Sequence, residues 1–229
     1  MELVGLGDVE DFAEVTRELY AAPDESGALQ HAVDLAIKLI AGCSHAGVSI
    51  VQGRNIVTPV GSDDVVRRGD ALQYQLDEGP CLDSVRCHET VISQNLGQET
   101  RWPRWAPQVV SDLGIQGMMS LCLYANAQSY GALNLYADGI NAFKSVDQTI
   151  AEAFTAQISV ALAARREIGQ RSIAMAHRTV IGQAEGILME RFGMDPDQAF
   201  AYLRRVSQTE HRKLIDICDE IVKTRQLPC

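Results

Sequence analysis

Two pairs of adjacent cations, Arg204-Arg205 and Arg212-Lys213, stand near the end of the chain, with Tyr202, Ser207, Gln208 and His211 between and beside them. Guanidinium and ammonium groups at that density suit a polyanion such as a phosphate backbone. Amide, hydroxyl and imidazole groups supply donors and acceptors for base edges, and a phenol ring can stack on an unpaired base. Arg178 and Gln183, some turns upstream, extend the same polar set. Each residue also has a plainer reading. Arg204 can be a solvated surface cation. Ser207 opens Ser207-Gln208-Thr209-Glu210, which has the form of a capping box, so it is either a helix cap or a base reader. Tyr202 either stacks on a base or covers a helix junction. Arg205 and Lys213, beside the Ser-Gln turn, are the preferred phosphate contacts.

A second candidate is Cys81, which follows Gly79-Pro80 at an expected helix start, where the helix dipole lowers a thiol's pKa. It reads as a redox sensor or as an ordinary buried thiol. The six cysteines form no C-x-x-C pair, and His31, His45 and His88 lack ligand spacing, so no metal and no cofactor is expected. Free thiols fit a reducing compartment. Met1 to Asp8 carry neither the basic nor the apolar block of a signal peptide. No run reaches the roughly 20 apolar residues of a membrane span. The chain reads as cytoplasmic.

The elements that must position these groups follow from periodicity. Helical spacing marks Asp8–Ala22, and a second helix from about Ser26 to Ala41, closed by Gly42. The β-rich runs 46–51 and 55–60, split by Gly53, form a hairpin. Residues 61–84 are polar and irregular and read as loops with short helical pieces. Further strands are expected at 90–93, 118–124 and 131–136, with a short helix from Trp102 to Leu113. In the last strand Leu133 and Leu135 face one way and Asn134 and Tyr136 the other, as a half-buried strand requires. Hairpin-joined strands with helices gathered on one face make an α+β sandwich.

Ser145-Val146-Asp147-Gln148 has capping-box form, and no proline follows until Pro196. A helix over about 146–191 would be about 70 Å long. Ile150, Phe154, Ile158 and Ala161 would cover the sheet, while Ile168, Met175 and Thr179 continue a narrower stripe. A seam between two copies of the chain over about 165–182 accounts for that stripe. The alternative is a break near Gly169. Asp195-Pro196-Asp197-Gln198 starts another helix, with Ala199, Phe200, Leu203 and Val206 inward. A last helix buries Leu214, Ile217, Cys218, Ile221 and Val222. Gly182 and Gly186 each cost about 1 kcal/mol in a helix. Close approach of the second helix, or of a nucleic acid, is expected there.

Charge divides the chain in the same place. The 229 residues are 46% hydrophobic and 22% charged, as in an ordinary globular protein. Residues 1–170 carry 11 Lys+Arg against 22 Asp+Glu, and residues 171–229 carry 9 against 8. Two modules with different partners are implied, at about 1–165 and 166–229. A tail so nearly neutral can hold nucleic acid only through a few placed cations and a doubled site.

The tail from Arg178 to Leu214 closely resembles the ANTAR family of bacterial RNA-binding output domains. The resemblance rests on Ile181-Gly182-Gln183-Ala184, Gly186-Ile187-Leu188-Met189, Asp195 ahead of Ala199-Phe200, and Leu203-Arg204-Arg205 before Ser207-Gln208. It departs at Glu185, where the family usually has a basic residue, and at His211, where it usually has Asn. Residues 8–165 resemble a GAF domain in element order, in Glu78-Gly79-Pro80-Cys81 before a helix, and in Gly131-Ala132-Leu133-Asn134-Leu135-Tyr136. The pair implies an antiparallel sheet with flanking helices, a long coiled-coil helix and a three-helix C-terminal domain. It further implies signal-gated transcription antitermination by a homodimer that binds paired RNA hairpins in nascent leader transcripts. The GAF half would take a small-molecule or redox signal, and RNA polymerase would be a further contact.

Two rivals belong to other classes. Some GAF-fold proteins reduce free methionine sulfoxide with cysteines, and Cys81 and Cys87 are candidates for that chemistry, although such an enzyme needs no helical output of this length. The last two helices could instead form a DNA-reading pair, but the outer face of the last carries Asp216, Asp219 and Glu220. Three acids facing phosphates weigh against it.

Overall fold

A computed structural model describes residues 17, 19, 21–53, 55–125 and 128–227 of the chain. The helix expected from Asp8 lies almost wholly outside them, as does Cys229. The chain divides into two compact units, one ending at Arg165 and one running from Arg166.

The first unit opens with α1 (Glu25–Leu39), capped by Asp24, whose carboxylate accepts from the Gly27 N–H at 2.8 Å. A five-stranded antiparallel sheet follows in the order β2-β1-β5-β4-β3. Its strands are β1 (His45–Gln52), β2 (Asn55–Gly61), β3 (Val91–Ser93), β4 (Gly117–Ala125) and β5 (Gln128–Ala137). Between β2 and β3 lie two helices, α2 (Asp64–Leu76), longer than the short helical pieces expected there, and the short α3 (Pro80–Cys87), which begins at the expected Gly79-Pro80 start. Asp63 starts α2 by accepting from the N–H groups of Val65 and Val66. A short α4 (Trp105–Leu113) precedes β4.

Period-2 alternation sorts the strand side chains onto two buried faces. Val48, Met119, Leu121, Leu133 and Leu135 meet α1 and the start of the long helix through Leu29, Val33, Phe154 and Ile158. Met118, Ala132 and Tyr136 meet α2, α3 and α4 through Val66, Cys81, Trp105 and Val109. The expectation of a half-buried β5, with helices on one face, therefore fails. Asn134 and Tyr136 are fully buried because α2, α3 and α4 cover the second face.

Helix α5 (Ser145–Phe192) is continuous through Gly169, so the break considered there does not occur. Its start is not the expected box, since Ser145 lies inside the helix and Asp147 accepts from the Lys144 N–H at 2.9 Å. In the second unit, residues 167–179 of α5 are exposed on every face. The end of α5, α6 (Pro196–Glu210) and α7 (Leu214–Thr224) then enclose a small core of Ala184, Leu188, Ala199, Leu203, Ile217, Cys218 and Ile221. Asp195 and Gln198 form the reciprocal capping box read from the sequence.

Candidate nucleic-acid interface

The outer face of α6 presents the polar set. Helical spacing groups it into two rows. In one, Gln198, Tyr202 and Arg205 follow each other, and with Met194 and Ala201 they line a surface groove of about 390 Å³. The Arg205 guanidinium lies 5.5 Å from the centre of the Tyr202 ring, which holds both side chains on the surface. In the other row Phe200, Arg204 and Gln208 are all exposed. Phe200 corrects the sequence reading. It was expected inward beside Ala199, yet it is 41% exposed while Ala199 is fully buried. Adjacent helical residues point about 100° apart, and the narrow core takes only one of them.

The turn after α6 also differs from expectation. Ser207-Gln208-Thr209-Glu210 does not open the last helix, because α6 runs through it and ends at His211. The Ser207 hydroxyl donates to the Arg212 carbonyl at 2.6 Å, tying the turn from below rather than capping α7. His211 adopts the left-handed conformation at φ 55°, with its Nδ1 at 2.8 Å from the Gln208 carbonyl. That conformation favours Asn among side-chain-bearing residues, which gives the family's usual Asn a physical reason. Lys213 occupies the cap position of α7 and is exposed.

The cations are not equivalent. Arg212 is bound by Glu220 at 2.5 Å and Glu210 at 3.0 Å, and both carboxylates raise its pKa. Arg178, Arg204, Arg205 and Lys213 are exposed and form no ion pair among the described residues. Gln183 is exposed on α5 beside Gly186, where both border a second groove of about 400 Å³ with Glu190 and Arg225. A Cβ built on Gly182 or Gly186 would meet nothing within 4 Å. Neither glycine is therefore required by close approach of α6 or α7, contrary to expectation. On α7, Asp219 pairs with Lys223 at 2.5 Å and Glu220 with Arg212, so two of the three acids on its polar face have cation partners.

In the first unit the Glu78-Gly79-Pro80-Cys81 segment is a structural joint. The Glu78 carboxylate accepts from Arg104 Nε at 2.6 Å and from the Arg104 N–H at 2.9 Å, which opens α4. Gly79 has φ 138°, and a Cβ there would meet the Gln73 side chain at 2.2 Å. Gln73 in turn accepts from the Cys81 N–H at 2.8 Å. Cys81 is fully buried at the start of α3, and burial, with the nearby Asp70 charge, pushes its thiol up to about 12. Desolvation outweighs the helix dipole that was expected to activate it, so little thiolate exists at neutral pH. Around it the buried Asp70 carboxylate accepts from Tyr136 Oη at 2.5 Å, Thr58 at 2.7 Å and Asn134 at 2.9 Å. Burial raises the Asp70 pKa against the pull of these donors. No group of three His, Cys, Asp or Glu that could hold a metal ion occurs among the described residues. None of their helices is long and apolar enough to cross a membrane.

The GAF domain family matches residues 22–163 and the ANTAR domain family matches residues 171–222. The chain belongs to the GAF-domain family, and its second unit carries an ANTAR domain. It thus has the architecture of a GAF–ANTAR regulator. Among solved structures it is similar to the GAF domain of an Acinetobacter phosphoenolpyruvate-protein phosphotransferase, at 13% identity and TM-score 0.56, covering 73% of this chain and 99% of that one. A free methionine-R-sulfoxide reductase from Neisseria meningitidis matches at 11% identity and TM-score 0.57, over 70% of this chain and 91% of that one. A Stigmatella aurantiaca phytochrome photosensory core matches at 13% identity and TM-score 0.61, over 88% of this chain and 45% of that one. These likenesses are of fold. No curated protein matches the chain in sequence.

Proposed function

We propose that the chain is a signal-responsive regulator that promotes transcription antitermination, binding paired hairpins of a nascent leader RNA as a homodimer. The observation that carries this reading is the outer face of α6 in an ANTAR domain, where the unpaired cations Arg204 and Arg205 stand beside the exposed ring of Phe200 and the half-buried ring of Tyr202. Cations for phosphates and flat side chains for splayed bases are what a hairpin loop requires. Gln208, Ser207, His211, Arg212 and Lys213 around the following turn, with Gln183 and Arg178 on α5, complete the surface. Arg212 would exchange its two carboxylates for phosphate.

The doubled site rests on α5. Ile168, Ile173 and Met175 are 67%, 58% and 71% exposed, more apolar area than a helix leaves in water without a partner. A second copy along residues 165–182 would cover them and set two α6 faces at a fixed spacing. The GAF unit supplies the signal input, the protein works in the cytoplasm, and RNA polymerase is the remaining partner of an antiterminator. The test is a binding comparison at one salt concentration among a two-hairpin RNA, either hairpin alone, and a DNA duplex of the same sequence. The two-hairpin RNA should bind at least about tenfold more tightly than a single hairpin, since linked sites raise effective concentration. Equal affinity for all three nucleic acids would refute the reading.

A further inference from the structure

The His45 ring, at the start of β1, stands between two carboxylates from different parts of the first unit. Its Nδ1 lies 2.6 Å from Asp63, which caps α2, and its Nε2 lies 3.2 Å from Asp138, the first residue after β5. Ionised carboxylates only accept, and a neutral imidazole has one N–H, so both contacts are hydrogen bonds only when the ring is the imidazolium. The two partners are not held alike. Asp63 also accepts from the Ser62 hydroxyl and from the N–H groups of Val65 and Val66, so it is fixed whatever the ring does. Asp138 is 64% exposed, and its own N–H donates to the Ser44 hydroxyl at 3.2 Å. Residues 138–144 then lead into α5, with the Asn141 N–H donating to the Gln94 carbonyl at 2.8 Å and the Gln94 side chain donating to the Phe143 carbonyl at 2.5 Å.

We propose that His45 is a proton-operated clasp on the connection from β5 to α5, which ties Asp138 to β1 when the ring is charged and frees it when the ring is neutral. A neutral ring keeps its one N–H on Nδ1, where the contact with Asp63 is shorter and better anchored. Its Nε2 lone pair then faces the Asp138 carboxylate, two acceptors 3.2 Å apart, and the exposed partner turns to water. The charges that act on the ring are those two carboxylates. Cys43, just before β1, donates from its thiol to the His45 carbonyl, and burial pushes that thiol up to about 12, so it stays neutral. Partial burial draws the ring's pKa down, but Asp63 and Asp138 outweigh it, and the net displacement is upward from 6.5. The clasp is therefore closed below about pH 6.5 and opens as pH rises through the higher folded value. On the reading of the first unit as a sensor, proton concentration becomes an input at the joint that leads into α5.

An NMR titration of the full chain, with the rings of its five histidines isotope-labelled, tests this, His45→Gln identifying the signal. His45 should titrate above about pH 6.5 and lose its proton from Nε2. Asp138→Asn should move the midpoint to lower pH, and Asp63→Asn, which keeps a side chain able to cap α2, should move it further. Hydrogen exchange of the Asp138 and Asn141 amides, corrected for the intrinsic effect of pH on exchange, reads the clasp itself. Exchange should be about two- to fivefold faster above the midpoint than below it, which is what an exposed ion pair is worth, and His45→Gln should abolish the difference. A midpoint at or below about 6.5, a midpoint that Asp138→Asn leaves in place, deprotonation at Nδ1, or exchange indifferent to the midpoint would each overturn the proposal. Neither measurement contains RNA, so their failure leaves the RNA reading standing, and a failure to bind RNA leaves their result intact.

Discussion

Arg212 is held between Glu210 and Glu220, while Arg205 rests beside the Tyr202 ring and Lys213 stands free at the cap of α7. Arg212 would have to leave two carboxylates to neutralise phosphate, whereas Arg205 and Lys213, like Arg178 and Arg204, form no ion pair among the described residues. A residue of another kind governs the first unit's response to pH. His45 lies 2.6 Å from Asp63 and 3.2 Å from Asp138. Partial burial of the ring lowers its pKa, but the two carboxylates outweigh that and raise it above 6.5. The stabilisation is therefore complete below about pH 6.5 and is lost as pH rises through the higher folded value. His45→Gln should remove a downward step in melting temperature that sets in above about pH 6.5. A melting curve series on the variant that still shows the wild-type step would place the titrating group elsewhere.

At the scale of elements, regular alternation and complete caps were legible, and buried polarity was not. The β1–β2 hairpin, β4, β5 and the start of α6 follow from period-2 runs and the Asp195 box. The start of α3 was legible at Gly79-Pro80-Cys81, but the full length of α2 was not, because Asp70 and Gln73 sit at buried positions where a periodicity argument expects apolar residues. The Ser207 box misled for another reason: the pattern Ser-x-x-Glu occurs equally inside a helix, and here α6 continues through it. Phe200 was lost by letting two adjacent residues face one core. The glycines of α5 give a prediction at this scale. Gly186→Ala adds a Cβ that meets nothing, so it should stabilise the chain by about 0.4–1 kcal/mol through helix propensity and unfolded-state entropy. If a partner helix or RNA packs on that bare backbone, the same variant should bind RNA more weakly despite melting higher. Higher stability with undiminished binding would mean the glycine face contacts neither.

For the whole molecule, the division of charge and the length of α5 were visible from the start, and the arrangement of side chains on exposed helix faces emerged only with the coordinates. The apolar stripe on α5 carries the assembly claim. Met175→Glu places a charge at a position that is 71% exposed in a single chain. It should leave each unit folded by circular dichroism and reduce the sedimenting mass from two chains to one. A variant that sediments like wild type, in the presence of RNA, would remove residues 165–182 from the interface.

The most direct test of the RNA surface is fluorescence anisotropy of a two-hairpin RNA titrated with wild type and with Arg205→Ala/Lys213→Ala at several salt concentrations. Each phosphate contact on an unpaired strand contributes about −0.7 to the slope of log affinity against log salt, so losing two per chain in a dimer should flatten the slope by roughly 3. Ser207→Ala is the control. Losing its bond to the Arg212 carbonyl should cost about 1 kcal/mol of stability and leave the slope unchanged. The double variant should melt like wild type, bind far more weakly and respond less steeply to salt. A double variant that melts normally and keeps both the affinity and the slope of wild type would contradict it.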